Sequence, residues 1–356
     1  MGLMAVLSVV IVVYLVYRFH RFSFMRRLGE RRRLLSWLLA MLPVAALGMF
    51  ALINATTLAV VLLHLLLGFV ICDLAALIIG KIRRRRVGYD IKSAAALLLT
   101  VIYLGAGWYA AHHVFVTAYT FETAKALGSL RIVEIADSHL GITQFGDTFA
   151  REMERVQAYD PDVVMIVGDF VDDDSDVNDM IEACAALGKL KTTYGVYFVY
   201  GNHDDGYFRY RNFSSAQLRE ELNKNGVAIL EDEAVLIDGR FYIVGRRDRS
   251  MRGRMDMERL TEGLDAGIYT ILLDHQPNDY ANEAGRADLV LSGHTHGGHI
   301  FPLGQIGLLT HANDRRYGTE NREGTDFVVT SGISGWAVPF KTGTYSEFVV
   351  IDVKGQ

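Results

Sequence analysis

Charge is missing from two long stretches of this 356-residue chain, residues 1–17 and 34–72, and only Glu30, Asp73 and Asp90 supply acid before Phe121. Apolar runs of this kind approach the roughly 20 residues that a helix needs to cross a hydrocarbon core. Cysteine is nearly absent as well. Cys72 and Cys184 fall in unlike halves of the chain, which argues against a disulfide between them, and so few thiols exclude a structural zinc site built from thiolates. There is no internal repeat and no low-complexity linker. With 51% of residues hydrophobic and 22% charged, the average conceals a membrane-like first third and a soluble remainder of ordinary domain size. Residues 1–115 read as a helical transmembrane region and 116–356 as a separate domain.

About four helices are expected in the first region, over residues 3–17, 34–52, 57–80 and 93–111, the middle two joined by the short INATT segment. The first has no basic segment before its apolar run and is followed by arginines rather than small residues, so it reads as a retained helix and not a secretory signal. Arginines between Arg18 and Arg33 follow the first span, and Lys81, Arg83 to Arg86 and Lys92 follow the third. Short loops rich in Lys and Arg stay cytoplasmic, so the topology expected is a multi-pass membrane protein with everything beyond Ala111 extracytoplasmic. Contact with anionic lipid is compatible with these basic runs, and nucleic acid is not expected as a partner. Asp73 is expected to face inward and pair.

Beyond Glu122 a pattern repeats: a short apolar run that stops abruptly at polar residues. LRIVEIA ends in DSH (137–139), DVVMIV in GDFVDDD (168–174), GVYFVY in GNHDD (201–205), YTILL in DHQP (274–277) and ADLVL in GHTHGGH (293–299). Such runs, rich in Val and Ile, are buried strands. Helical stretches over 147–159, 177–189 and 214–225 alternate with them, and Asp238-Gly239 marks a hairpin between AVLI and FYIVG. A layered α/β/β/α sandwich accommodates both kinds of segment. Singly each motif is weak, since DxH is common and GNH can be a turn. Together they set carboxylate, imidazole and amide groups at five strand ends, where open α/β sheets bind ligands. Asp, His and Asn without cysteine suit divalent Mn, Fe or Zn, and seven such groups exceed the needs of one ion. Asp172, Asp173, Asp174 and Asp176 read as a solvated loop, with a structural role open for the first.

The ordered set DSH, GDFVD, GNHD, DHQP and GHTHGG resembles the calcineurin-like metallophosphoesterase superfamily from about Leu130 to the end, and helices followed by such a domain are similar to its membrane-associated bacterial branch. The resemblance implies Asp137, His139 and His296 on one divalent ion, Asn202, His275 and His294 on a second, and Asp169 bridging them. It also implies that His203 assists at the substrate and that Asp204 orients it. Gly168, Gly201 and Gly293 would permit turns that a side chain would crowd. Two ions roughly 3.5–4 Å apart lower the pKa of a shared water and hold a phosphoryl oxygen, so a bridging hydroxide would attack phosphorus in line while His203 protonates the leaving group.

The function expected is a membrane-anchored phosphoesterase acting on phosphomonoester, phosphodiester or diphosphate bonds, with a lipid or envelope-derived substrate. Alternatives are a lipid-linked nucleotide pyrophosphatase of the UDP-diacylglucosamine type, and a non-catalytic membrane sensor or interaction protein that keeps the metal site. Around the motifs, His299 reads as a substrate contact or a neutral replacement, Lys341 as a surface residue, Trp336 as packing, and His311 as part of a substrate rim.

Overall fold

The computed structural model describes residues 2–206, 211–305, 309–310 and 312–356, with the backbone alone for 2–8 and 305. His311 lies outside the described residues. The chain divides into two compact units, residues 1–106 and 107–356.

In the first unit the helices are α1 (Gly2–His20), α2 (Ser23–Arg31), α3 (Arg33–Leu47) and α4 (Ala55–Ile82), followed by α5 (Tyr89–His112), whose last turns belong to the second unit. Among the described residues, three helical segments are long and apolar enough to cross a membrane, residues 33–52, 55–82 and 89–112, and Val9–His20 is a shorter apolar stretch. Leu15, Ala40, Leu65, Phe69 and Ala96 form the packed centre of this bundle. The Asn54 side chain caps α4 by accepting from the Thr57 amide at 2.7 Å. Asp73 pairs with Arg18 at 2.5 Å and Lys92 at 2.8 Å, which offsets the cost of a carboxylate in an apolar segment. One expectation is corrected: much of the basic segment after the first span is not loop but α2. Its SFMRRLGER sequence puts Met25 inward and leaves Arg26, Arg27 and Arg31 exposed, an amphipathic pattern that charge counting alone overlooks.

The second unit holds two six-stranded sheets. The first has the order β1 (Val114–Glu122), β12 (Ser346–Lys354), β2 (Ser129–Ile135), β3 (Val163–Val167), β4 (Val196–Val199), β5 (Val227–Ile229). The second has the order β10 (Gly318–Arg322), β11 (Thr325–Val329), β9 (Leu289–Ser292), β8 (Tyr269–Leu273), β7 (Phe241–Gly245), β6 (Glu233–Ile237). Strands β2 to β5 run parallel, as do β7, β8, β9 and β11. In β3, β8 and β9 every residue is buried, as expected of strands covered on both faces. Ile132, Met165, Ile271, Leu291 and Val349 meet between the sheets. Outside the first sheet pack α6 (Gly146–Gln157), α7 (Val177–Leu187) and α8 (Ser215–Lys224), through Phe149, Met180 and Leu218 among others. The short helices α9 (Met257–Leu260) and α10 (Tyr280–Glu283) cover the second. The layers are therefore α/β/β/α. Asp238 and Gly239, with φ of 50° and 67°, make the tight turn between β6 and β7.

Candidate metal centre

All five polar motifs follow the C-terminal ends of parallel strands, β2, β3 and β4 in one sheet and β8 and β9 in the other, and the two sets of loops converge. Within this cleft Asp137, His139 and His296 form one group, and Asp169, His275 and His294 another. In each, the ligand-type atoms lie within 4.8 Å of one another. Asp169 faces both groups, its Oδ2 being 3.5 Å from His139 Nε2 and 3.1 Å from His275 Nε2. Asn202 stands next to them, with Gln276 Nε2 3.5 Å from its Oδ1, and Gln276 is in turn held by buried Asp248 at 2.9 Å.

Backbone conformation puts these side chains where they are. Asp137, His139, Asp169, His294 and His296 all have positive φ, between 36° and 68°, a region that costs an L-residue energy unless the surroundings impose it. Gly168 shows how tight the turns are. Its φ is +76°, and a methyl group there would lie 2.6 Å from His275 Nδ1 and 2.7 Å from the Gly201 nitrogen. Gly168→Ala is expected to destabilise the second unit by about 3 kcal/mol from combined overpacking and left-handed strain, read as a fall in the thermal midpoint of the full chain. An unchanged midpoint would refute it.

Hydrogen bonds at Nδ1 turn the Nε2 atoms of His275 and His139 into the cleft. His275 Nδ1 donates to the Val167 carbonyl at 2.8 Å, which turns Nε2 toward Asp169 Oδ2, 3.1 Å away. Burial acts downward on His275, but the Asp169 charge outweighs it and holds His275 well above its ordinary value while no ion is bound. His139 Nδ1 donates to Asp172 at 3.0 Å, leaving its Nε2 3.1 Å from His296 Nε2. Burial, then the nearby charge of His275, lowers His294 to about 4, and burial with His139 beside it holds His296 well below its ordinary value. Neutral imidazole is the ligating form.

Asp172 is the residue that motif reading undervalued. It is buried, and its second oxygen accepts from His203 Nδ1 at 3.1 Å, so one carboxylate joins His139 to His203. Burial would raise Asp172, but the hydrogen bonds from the two histidines hold it far below the usual carboxylate range. On His203 burial is the largest influence and acts downward, but the Asp172 hydrogen bond and the charges of Asp169, Asp172 and Asp204 together outweigh it, leaving the pKa raised. The expectation that Asp204 orients His203 is corrected. The Asp204 carboxylate is turned to the backbone, accepting from the amides of Asp169, Phe170, Val171 and Gly201 at 2.7–3.0 Å, and burial followed by the Asp169 charge raises it to about 6. It holds the turn that carries Asp169.

A sequence model of the calcineurin-like phosphoesterase family matches residues 130–298, the stretch that contains all of these motifs. The chain carries a calcineurin-like phosphoesterase domain. A relative from Danio rerio described as a transmembrane protein with metallophosphoesterase domain is 31% identical over 244 residues, 65% of this chain and 54% of that protein. A metallophosphoesterase of Campylobacter jejuni is 30% identical over 233 residues, covering 64% of this chain and 60% of its own length. One from Aquifex aeolicus is 29% identical over 249 residues, 68% of this chain and 92% of that protein. The chain thus spans between half and three fifths of the first two relatives.

Two further residues of the second unit correct the sequence reading, and both lie beyond the matched stretch. Lys341 is not a surface residue but fully buried, its Nζ donating to the carbonyls of Ser331 at 2.6 Å and Gly332 at 3.0 Å, and burial lowers it to about 7. Trp336 is not packed away. It is 42% exposed, with its ring 5.5 Å from that of His203. His299 stands beside His296, ring centroids 5.3 Å apart, with a buried Nε2 that has no hydrogen-bond partner.

Proposed function

We propose that this chain is a membrane-embedded phosphoesterase that uses two divalent ions at the convergence of the five strand ends. The observation that carries the reading is the position of Asp169, one carboxylate oxygen shared between His139 of one Asp/His group and His275 of the other. The donor set fits divalent ions: two carboxylates, four imidazoles and one amide, with His275 Nε2 turned to Asp169 and two imidazole nitrogens facing each other at 3.1 Å. Asp137, His139 and His296 would hold one ion, Asn202, His275 and His294 the other, and Asp169 would contact both.

When bound, the ions supply an activated water and neutralise charge on the phosphoryl group. The remaining chemistry belongs to the chain. His203 is held through Nδ1 by Asp172, and its raised pKa favours the protonated form that a departing alkoxide needs. Asp172 keeps His139 and His203 in fixed tautomers at once. Asp204 and the glycine turns hold Asp169 against the repulsion of its neighbours. The basic segments at the start of the chain support an extracytoplasmic side for this chemistry.

The test uses the purified full-length protein, stripped of metal and reloaded with Mn, Fe, Zn, Co or Ni in turn, against a phosphomonoester, a phosphodiester and a diphosphate ester. Metal-dependent release of product with at least one ion is expected. Inactivity with every ion would favour a sensor or interaction protein with a structural metal site.

A further inference from the structure

The loops that wall the metal centre are tied to the end of α5, a helix apolar enough to span a membrane. The Lys341 amide donates to the Gly107 carbonyl at 2.8 Å, and the Phe301 amide donates to Thr342 Oγ1 at 3.1 Å. Gly343 donates to the His299 carbonyl at 2.9 Å, which knits the 298–303 and 335–343 loops together. All of these residues belong to the second unit.

The last turns of α5 carry exposed Trp108 and Tyr109, stacked on His112 and His113, and Phe115 follows with its edge against Tyr345. Aromatic residues of this kind at the end of an apolar helix mark the level of the membrane interface, where an apolar ring and a polar edge are both accommodated. The tied loops show Trp336, Phe301 and Leu303 to the outside, 42%, 48% and 48% exposed. Scattered exposed apolar residues need no explanation. Phe301 and Leu303 follow His299 on one loop and Trp336 approaches His203 from the other, and the bonds from Gly343 to His299 and from Phe301 to Thr342 hold the two loops together, an exposure that water alone does not favour.

We infer that the site is served from the bilayer: the loops bearing Trp336, Phe301 and Leu303 rest in the membrane interface, and the substrate is an amphiphilic phosphate ester whose apolar tail stays in the lipid. The phosphoryl group rises past Trp336 to His203 and the metal centre. The inference rests on the phosphoesterase reading and names its substrate class. Hydrolysis leaves a balanced pair of products, water adding its oxygen to phosphorus as the ester P–O bond breaks and the alcohol takes up the proton.

The experiment uses metal-loaded full-length protein in phosphatidylcholine nanodiscs. Dioleoyl phosphatidic acid and dioleoyl phosphatidylglycerol are compared with the tail-less glycerol 3-phosphate and glycerophosphoglycerol, with 4-nitrophenyl phosphate and bis(4-nitrophenyl) phosphate as soluble references. At least one lipid is expected to be cleaved with a kcat/KM about tenfold or more above its tail-less counterpart, and the double substitution Phe301→Ser, Leu303→Ser to lower the lipid-to-soluble ratio about tenfold. The emission of Trp336, taken as the difference between wild type and Trp336→Phe, is expected to be quenched by lipids brominated near the top of the acyl chain. Cleavage of soluble esters with no lipid cleaved, equal rates with and without tails, or an unquenched Trp336 would each overturn the inference and leave the phosphoesterase reading standing. Inactivity toward every ester refutes that reading and the substrate class with it, while quenching still decides the placement of the loops.

Discussion

Asp169→Asn is expected to lower metal-dependent hydrolysis by roughly 10³-fold or more and to reduce the metal content from two ions per chain to one or none. The carboxylate stands between His139 and His275, and its other oxygen accepts from the His203 amide at 2.8 Å. An amide keeps the shape but loses the negative charge and one of the two acceptor oxygens, and a neutral group cannot hold two cations close together. Removing His203 leaves the metal-ligand set intact and is expected to cost less, roughly 10²-fold, with the metal content unchanged. Elemental analysis beside steady-state kinetics separates the two variants. Wild-type turnover with two ions bound in Asp169→Asn would sink the assignment.

Asp172→Asn has the next largest expected effect, and it acts through two other residues. Metal affinity is expected to fall roughly 10- to 100-fold, as when a partner behind a ligating histidine is lost, because His139 is no longer pinned by an acceptor-only group. Turnover is expected to fall further even with metal in excess, through His203. The sign of the pH effect is fixed by the direction of the shift. Asp172 raises the pKa of His203 against the lowering effect of burial, so its loss moves that pKa down. If protonated His203 serves the leaving group, the alkaline limb of the pH–rate profile moves to lower pH. A limb that stays in place while turnover falls would make Asp172 a purely structural support.

The parts of the fold visible in the sequence were those written in short-range patterns. Apolar pentads such as VVMIV and YTILL stop where glycine or a polar residue interrupts them, so both the strands and the polar groups at their ends could be read directly. Which polar groups touch one another could not. Asp172 lies three residues beyond Asp169 among other aspartates that do face solvent, and only the turn after β3 carries it inward to two histidines. Lys341 and Trp336 sit on a loop between β11 and β12 that folds back on itself, enclosing Lys341 among the carbonyls of Ser331 and Gly332 and bringing Trp336 to His203 beyond β4. For Asp204 the resemblance implied a pairing with His203, whereas the turn directs its carboxylate to four backbone amides. The helix α2 was hidden because its arginines outweighed its periodicity.

Asp137, His139, Asp169, His294 and His296 are held in left-handed backbone conformations, each costing on the order of 1 kcal/mol. Such a cleft is an expensive part of the chain to keep folded, and ions that bind only the folded form contribute the opposing free energy by mass action. On the two-ion reading, cofactor supply and longevity become one quantity. Molecules made under metal scarcity would be softer around these strand ends and the first to be cleared, so the amount of this protein in a membrane would follow the ions available to it.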